Sequence, residues 1–269
     1  MIECPHSLYF FRCDIEKFDD MSKAVNSLKD WHIVPLGRPV IVPPQQKLQV
    51  IDIPGANGVL DLSNSLTKYP VFNNRQGTLQ FAILHEETDT PTAYTQMMRF
   101  LQGTDVKMIL EDDPLYYYEG RVYVDSIDAK ADGTHSEVTL GYDLFPYRKS
   151  IYTADDEDWL WDPFNFETDV ITSGIFSGIT INSPNAFVEY DFSGLIDMMP
   201  VNPVFTCSAQ MTAQLYNSDL GINWEQFTLP SGSKSFYNLI FCEFTPESKV
   251  KMRFKGTGTI SISFRSGRL

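Results

Sequence analysis

Along most of the chain, apolar residues recur with the period of a β-strand, in which successive side chains point to opposite faces. The segment "EVTLGYDLF" sets Val138, Leu140, Tyr142 and Leu144 on one side and Glu137, Thr139, Gly141 and Asp143 on the other. "TLQFAIL" and "KMIL" are apolar runs of strand length. In "KMILEDDPLYYYEGRVYVDSI" a strand gives way to an Asp-Asp-Pro turn and then to a long aromatic-rich strand, because Pro114 cannot donate to a ladder and fits a turn. "AKADGTHSEV" supplies an Asp-Gly turn before the next strand, so two successive hairpins are expected.

One segment follows a helical period instead. In "TDTPTAYTQMMRFLQG", Thr90 stands as the cap, Pro91 at the first helical position and Gly103 as the stop. Tyr94, Met97, Met98 and Leu101 fall at i, i+3, i+4 and i+7, which predicts a single amphipathic helix packed on a sheet, its methionines serving as core filler.

From about Ile175 onward the pattern is purely β. "KVKMRFKG" turns Val250, Met252 and Phe254 inward and Lys249, Lys251, Arg253 and Lys255 outward, and "GTISISFRSG" repeats the arrangement with Ile260, Ile262 and Phe264. "NAFVEYDF" has no cleanly polar face. Short strands separated by Gly, Pro and Ser turns predict a β-sandwich of about 100 residues. The fold class expected is therefore mainly β: an amino-terminal sandwich-like domain with one α-helix over residues 1–152, a connector over 153–172, and a second β-sandwich over 173–269.

Charge marks the connector. The chain of 269 residues carries a formal charge of −14, and half of that excess lies in "IYTADDEDWLWDPFNFETDVIT", which has 7 acidic residues and no basic one. No basic footprint for a phosphate backbone or an anionic lipid surface is present, so nucleic-acid binding is not expected. No apolar stretch approaches the length that spans a bilayer, and the amino terminus lacks the basic and apolar regions of a signal peptide, so neither membrane insertion nor secretion is expected. Cys4, Cys13, Cys207 and Cys242 lack metal or redox spacing and read as free thiols of a reducing cytosol; Cys207 and Cys242 would pair only if their strands were suitably placed neighbours.

Catalytic and metal chemistry finds little support. Glu111, Asp112 and Asp113 are adjacent on an extended chain and point to alternate sides, so Asp112 and Asp113 form a solvated turn and not the facing carboxyls of a glycosidase. "DAKADG" fails as a calcium loop because Lys130 replaces an oxygen ligand. The acidic run Asp155–Asp158 reads as solvated linker, and His6, His32, His85 and His135 have no zinc spacing. No nucleophile elbow or phosphate loop occurs; "GANG" is a tight turn. Neither cofactor, metal nor catalytic residue is expected. Trp224, Phe227, Phe236 and Tyr237 read as core aromatics or as a platform for sugars, with Trp224 and Tyr237 the candidate contacts.

An ordered series of short motifs carries a resemblance. Trp31, Val34 and Pro35 are followed by Arg38-Pro39, Pro43-Pro44 and "DIPGANGVLDLS", which holds Pro54, Gly55, Gly58 and Asp61. Then come "YPVFNNRQGTLQF" with Arg75, the helix ending "FLQG", and "KMILEDDPLYYYEGRV" with Asp112, Asp113, Gly120 and Arg121. In this order and spacing the first 150 or so residues resemble the amino-terminal domain of siphophage distal tail proteins, and the ending "GTISISFRSGRL" is similar to endings in that family. The resemblance implies a galectin-like or carbohydrate-binding-module-like carboxy-terminal sandwich and a structural, non-enzymatic virion protein. It further implies a homo-oligomeric, hexameric ring joining the tail tube and tape-measure or tail-tip protein to baseplate and receptor-binding proteins of a long noncontractile tail, assembled in the bacterial cytoplasm. The alternative is an adhesion module that binds host cell-wall carbohydrate through the carboxy-terminal sandwich.

Within this frame the turn-rich stretch from Val50 to Leu84 reads as architecture: Pro54, Gly55 and Gly58 fix a bend, and Asp61 caps or pairs. Arg75, just before a core strand, is expected either to lie bidentate on a carboxylate such as Asp61 or to be a solvated strand-end residue. The net charge suggests an acidic lumen that repels passing DNA.

Overall fold

A computed structural model describes residues 6–15, 18, 21–85, 87–129, 136–155 and 175–269. Cys4, the Asp-Gly turn at 132–133, His135 and the acidic connector beyond Asp155 lie outside the described residues. In chain order the elements are β1 (Leu8–Arg12), β2 (Val25–Asn26), β3 (Ile33–Pro35), β4 (Val50–Asp52), β5 (Val59–Asp61), β6 (Arg75–Ile83), α1 (Thr90–Leu101), β7 (Asp105–Leu110), β8 (Tyr116–Ala129), β9 (Ser136–Leu144), β10 (Arg148–Ser150), β11 (Ile179–Asp191), β12 (Val204–Cys207), β13 (Met211–Asn217), β14 (Ile222–Leu229), β15 (Gly232–Ser235), β16 (Val250–Ser263) and β17 (Gly267–Arg268). The protein is mainly β, as the alternation predicts, with antiparallel sheets and, among the described residues, one α-helix.

The chain divides into two compact units, Met1–Lys47 with Phe72–Ile151, and Leu48–Val71 with Tyr152–Leu269. This is not a single cut along the sequence. The segment Leu48–Val71 falls in the second unit, where Tyr69 stacks on Phe244 with ring centroids 5.9 Å apart.

In the first unit the strands run β2-β1-β7-β8-β9-β6-β3, with β10 also pairing with β8. Both predicted hairpins, β7–β8 and β8–β9, are present. The alternation on β9 is realised: Val138, Leu140, Tyr142 and Leu144 are buried with Leu8, Phe10, Phe81 and Met108. Trp31 belongs to this core, its ring 5.1 Å from Phe10 and 5.8 Å from Phe100.

Helix α1 packs against β8 on a stripe different from the one its spacing predicts. Ala93, Met97 and Leu101 are buried, whereas Tyr94 is exposed and Met98 only half-buried. Alanine lets the helix axis approach the sheet, and a tyrosine loses less at a boundary where its hydroxyl stays wet. The cap also differs: Asp89, not Thr90, accepts from the Thr92 amide at 2.8 Å, so Pro91 is the second helical residue. Asp89 is the better acceptor at the positive end of the helix, and Thr90 instead exchanges a hydrogen bond with Ser136.

The second unit is built on β16. Its first half pairs with β13, its second half with β12, and its other edge with β11. The sheet order is β14-β13-β16-β12-β15. Because Met252 and Phe254 from one half share a core with Ile260 and Ile262 from the other, the sheet folds across itself as a sandwich, filled by Phe205, Leu215 and Phe241. Cys207 and Cys242 are buried free thiols; burial raises both, Cys242 to about 12.

Candidate assembly surface

The segment "VIDIPGANGVLDLS" forms a two-stranded sheet of its own, β4–β5, with Val50 opposite Asp61, Ile51 opposite Leu60 and Asp52 opposite Val59. Pro54 follows β4, the Ala56 amide donates to the Ile53 carbonyl at 3.1 Å, and Gly55 and Gly58 take φ values of 85° and 77° that disfavour a side chain. Asp61 closes the base: its Oδ1 accepts from the Ser63 amide at 2.8 Å, while the Ser63 hydroxyl accepts from the Gln49 amide at 2.8 Å. Those Ser63 hydrogen bonds hold the Asp61 carboxyl below its usual range.

Strand alternation sorts this hairpin into two faces. One carries Val50, Asp52, Val59 and Asp61; the other carries Ile51, Ile53 and Leu60. Every residue of both strands is exposed, with Ile51, Ile53 and Leu60 each near 45% and the neighbouring Leu66 at 97%. An isolated hairpin of this length is marginal in water, and a contiguous exposed apolar face is characteristic of a surface that something else covers. The alternating "VIDI" and "VLDL" runs contain this signal, but a sequence does not say whether the apolar side of a strand is buried within its own chain.

Arg75 follows neither expected course. Its carboxylate candidate, Asp61, is held by Ser63, and Arg75 is 4% exposed at the start of β6. Nε donates to the Pro146 carbonyl at 2.7 Å and Nη1 to the Val42 carbonyl at 3.1 Å, and the guanidinium lies 5.5 Å from the Tyr118 ring. Among the described residues Nη2 has no hydrogen-bond partner. Burial lowers the pKa of this guanidinium. Arg75 thus ties two irregular segments to the sheet; backbone carbonyls, which sequence patterns do not display, take the place of the carboxylate.

The paired acids separate. Asp112 accepts from Arg38 Nε at 2.9 Å and lies 2.9 Å from His6 Nδ1, whereas Asp113 pairs with Arg148. Burial raises the Asp112 carboxyl, but the bonds from His6 and Arg38 outweigh it and hold the group low. Both acids are ion-paired where the sequence suggests simple solvation. Pro35 lies in β3 opposite Phe81, and Arg121 reaches Asp105 at 3.2 Å from an exposed position. Gly120 has φ 152°, and a Cβ there would lie 2.3 Å from the Asp143 carbonyl oxygen, so β8 and β9 approach too closely for any side chain.

The two sugar-contact candidates have separate surroundings. Trp224 sits at a bulge in β14 with φ 53°, its ring covered by the Arg253 guanidinium at 3.5 Å and flanked by Tyr216 at 5.5 Å. Glu189 in turn accepts from Arg253 Nε and Nη2 at 2.9 and 2.7 Å. Tyr237, after β15, is 94% exposed.

Glu243 has no counterpart in the sequence reading. It is 7% exposed and accepts from the Gly194 amide at 3.0 and 2.9 Å and the Ile196 amide at 3.2 Å. Burial nonetheless raises its carboxyl to about 7, with Asp219 and Asp191 contributing. Among the described residues no cluster of His, Cys, Asp and Glu is arranged to hold a metal, and no helix is long and apolar enough to cross a membrane.

No protein-family model and no curated protein matches the sequence. The structure does have a full-length counterpart. The fold is similar to that of SPP1 Dit. That protein, described as a paradigm of hub adsorption apparatus in Gram-positive infecting phages, aligns over 97% of this chain and 99% of its own, at 13% identity and a TM-score of 0.50. The insecticidal delta-endotoxin Cry8Ea1 of Bacillus thuringiensis aligns over 98% of this chain and 41% of its own, at 7% identity. Its TM-score of 0.21 carries no argument.

Proposed function

We propose that this protein is a structural component of a phage tail, a Dit-like hub that assembles as a homo-oligomeric ring, with six copies the expected number. The β4–β5 hairpin carries the proposal: it presents Ile51, Ile53 and Leu60 to solvent and seats that face on the next copy. Its glycine turns and the Asp61–Ser63 base fix the hairpin's shape before assembly, which lowers the entropy lost on docking. Cyclic symmetry then satisfies every such surface with one repeated contact. The full-length likeness in fold to SPP1 Dit supports the same reading.

In this role the ring joins the tail tube and the tape-measure or tail-tip protein to baseplate and receptor-binding proteins, as part of the virion assembled in the host cytoplasm. The function asked of each residue is mechanical: Trp31 in the core, Arg75 across two irregular segments, and Gly120 at a close strand approach. The net charge of −14 suits a lumen through which DNA passes without adhering. Ile51→Asp and Leu60→Asp separate the assembly role from folding, because both side chains are already about half exposed. The expected outcome is an unchanged melting temperature with loss of the oligomer in native mass spectrometry; rings that persist in both variants would refute the hairpin's role.

A further inference from the structure

In this acidic chain carboxylates take up Arg38, Arg121, Arg148, Arg253 and Arg268, through Asp112, Asp105, Asp113, Glu189 and Asp197 respectively. Two arginines differ. Among the described residues neither Arg12, at the end of β1, nor Arg99, in the last turn of α1, meets a carboxylate, although the chain has 35 acidic residues against 21 Lys and Arg. Both line one groove of about 720 Å³ between α1 and the β1–β2 edge.

Arg12 is fixed before anything docks there. Its guanidinium lies 4.2 Å from the Phe100 ring centre, Nη1 donates to Thr104 Oγ1 at 2.9 Å, and Nη2 donates to the Arg99 carbonyl at 3.4 Å. The rest of its five N–H groups have no partner among the described residues. Arg99 is exposed, and its side chain makes no hydrogen bond or ion pair among the described residues. Two guanidiniums lining one groove repel each other until an anion lies between them. Asp30, the one acid among the described lining residues, accepts the Asn26 amide at 2.6 Å and leaves the groove with an excess of positive charge. Val25, Trp31 and Phe100 supply the apolar part of the lining, and the exposed Gln96 adds an amide to the helix side.

We infer that this groove docks an acidic peptide segment of a partner protein, with a carboxylate bridging Arg12 and Arg99 and a neighbouring apolar side chain resting against Val25 and Phe100. Planar guanidinium forks match carboxylates, and the contacts that already hold Arg12 reduce the entropy lost when the segment binds. The charge is complementary only locally: a chain of net charge −14 repels an acidic partner over most of its surface and admits it at this groove, which gives the contact its selectivity. A nucleic-acid strand suits the groove less, because two arginines beside Asp30 fall short of the basic track that a run of phosphates requires. The inference stands whether or not the chain closes into a ring.

Fluorescence anisotropy on the full chain tests it, with a labelled peptide of alternating glutamate and phenylalanine as probe. The expected result is saturable binding that weakens as salt is raised, with the glutamine-for-glutamate peptide bound at least fivefold more weakly. Arg99→Glu should weaken the acidic peptide at least tenfold, whereas Arg99→Lys, which keeps the charge, should stay within about threefold of the parent. Neither change should move the melting temperature, since the side chain is exposed and makes no bond to the rest of the chain. Hydrogen exchange with the peptide bound should show added protection in α1 and the β1–β2 edge. No binding, equal binding of the glutamine peptide, an unaffected Arg99→Glu variant, or protection confined to other elements would overturn the inference. So would a single-stranded oligonucleotide that binds more tightly than the peptide and loses that binding in Arg99→Glu, which would assign the groove to phosphate.

Discussion

Replacing Glu243 with glutamine should alter how the stability of the second unit depends on pH. In the folded chain the carboxyl is 7% exposed and its pKa is raised from 4.5 to about 7, first by burial and further by Asp219 and Asp191, against the Gly194 and Ile196 amides that favour the charged form. A folded pKa above the unfolded one means that folding favours the protonated acid. The stability Glu243 contributes is therefore fully present below about pH 4.5 and is lost as pH rises through about 7. At about 1.4 kcal/mol per pKa unit, the loss amounts to about 3 kcal/mol by pH 8. A glutamine at this position would not titrate, and its side-chain oxygen, placed where Oε2 accepts from both Gly194 and Ile196, keeps the main hydrogen bonds. Hydrogen exchange of the buried β16 residues Met252 and Phe254 reports on this unit within the full chain. Glu243→Gln should match the parent at pH 4 and exceed it by about 3 kcal/mol at pH 8. Parallel curves at all pH values would refute the argument from burial.

Other outcomes follow from single contacts. Gly120→Ala should destabilise the first unit by more than about 3 kcal/mol, because its Cβ would meet the Asp143 carbonyl oxygen at 2.3 Å in a backbone conformation that disfavours side chains; thermal melting checks it. Gly77→Ala should also destabilise, by driving the Tyr142 hydroxyl, 2.5 Å from the new Cβ, off the Val42 amide it accepts from at 3.1 Å. Arg75→Ala should cost the first unit about 2–4 kcal/mol, through two lost carbonyl hydrogen bonds and a cavity, and calorimetry would show it. Alkylation of the native chain at pH 8 should modify neither Cys207 nor Cys242, whose thiols burial raises, as peptide mass spectrometry would report.

Regular elements were the most legible part of the sequence, because a strand with one buried face must alternate. β9 and β16 show this in Val138–Leu144 and Val250–Phe254. The helix was legible as a helix but not in its orientation, since whether Tyr94 or Ala93 faces the sheet depends on how closely the two elements pack. Features set by contacts distant in sequence left no local trace. Arg75 found the carbonyls of Val42 and Pro146, Glu243 the amides of Gly194 and Ile196, and Asn202 the turn at Phe236–Leu239. The hairpin lies between these cases. Its strands and turns are readable, but the exposure of Ile51 and Leu60 appears only once the chain has folded without covering them.

Electron microscopy of the purified full chain, with its native mass measured on the same sample, tests the central claim. The account predicts closed rings of six-fold symmetry and a mass of six chains, both lost when Ile51 and Leu60 are replaced by aspartate. A single-chain mass at the highest soluble concentration, with no ring at the end of tails that contain the protein, would contradict it.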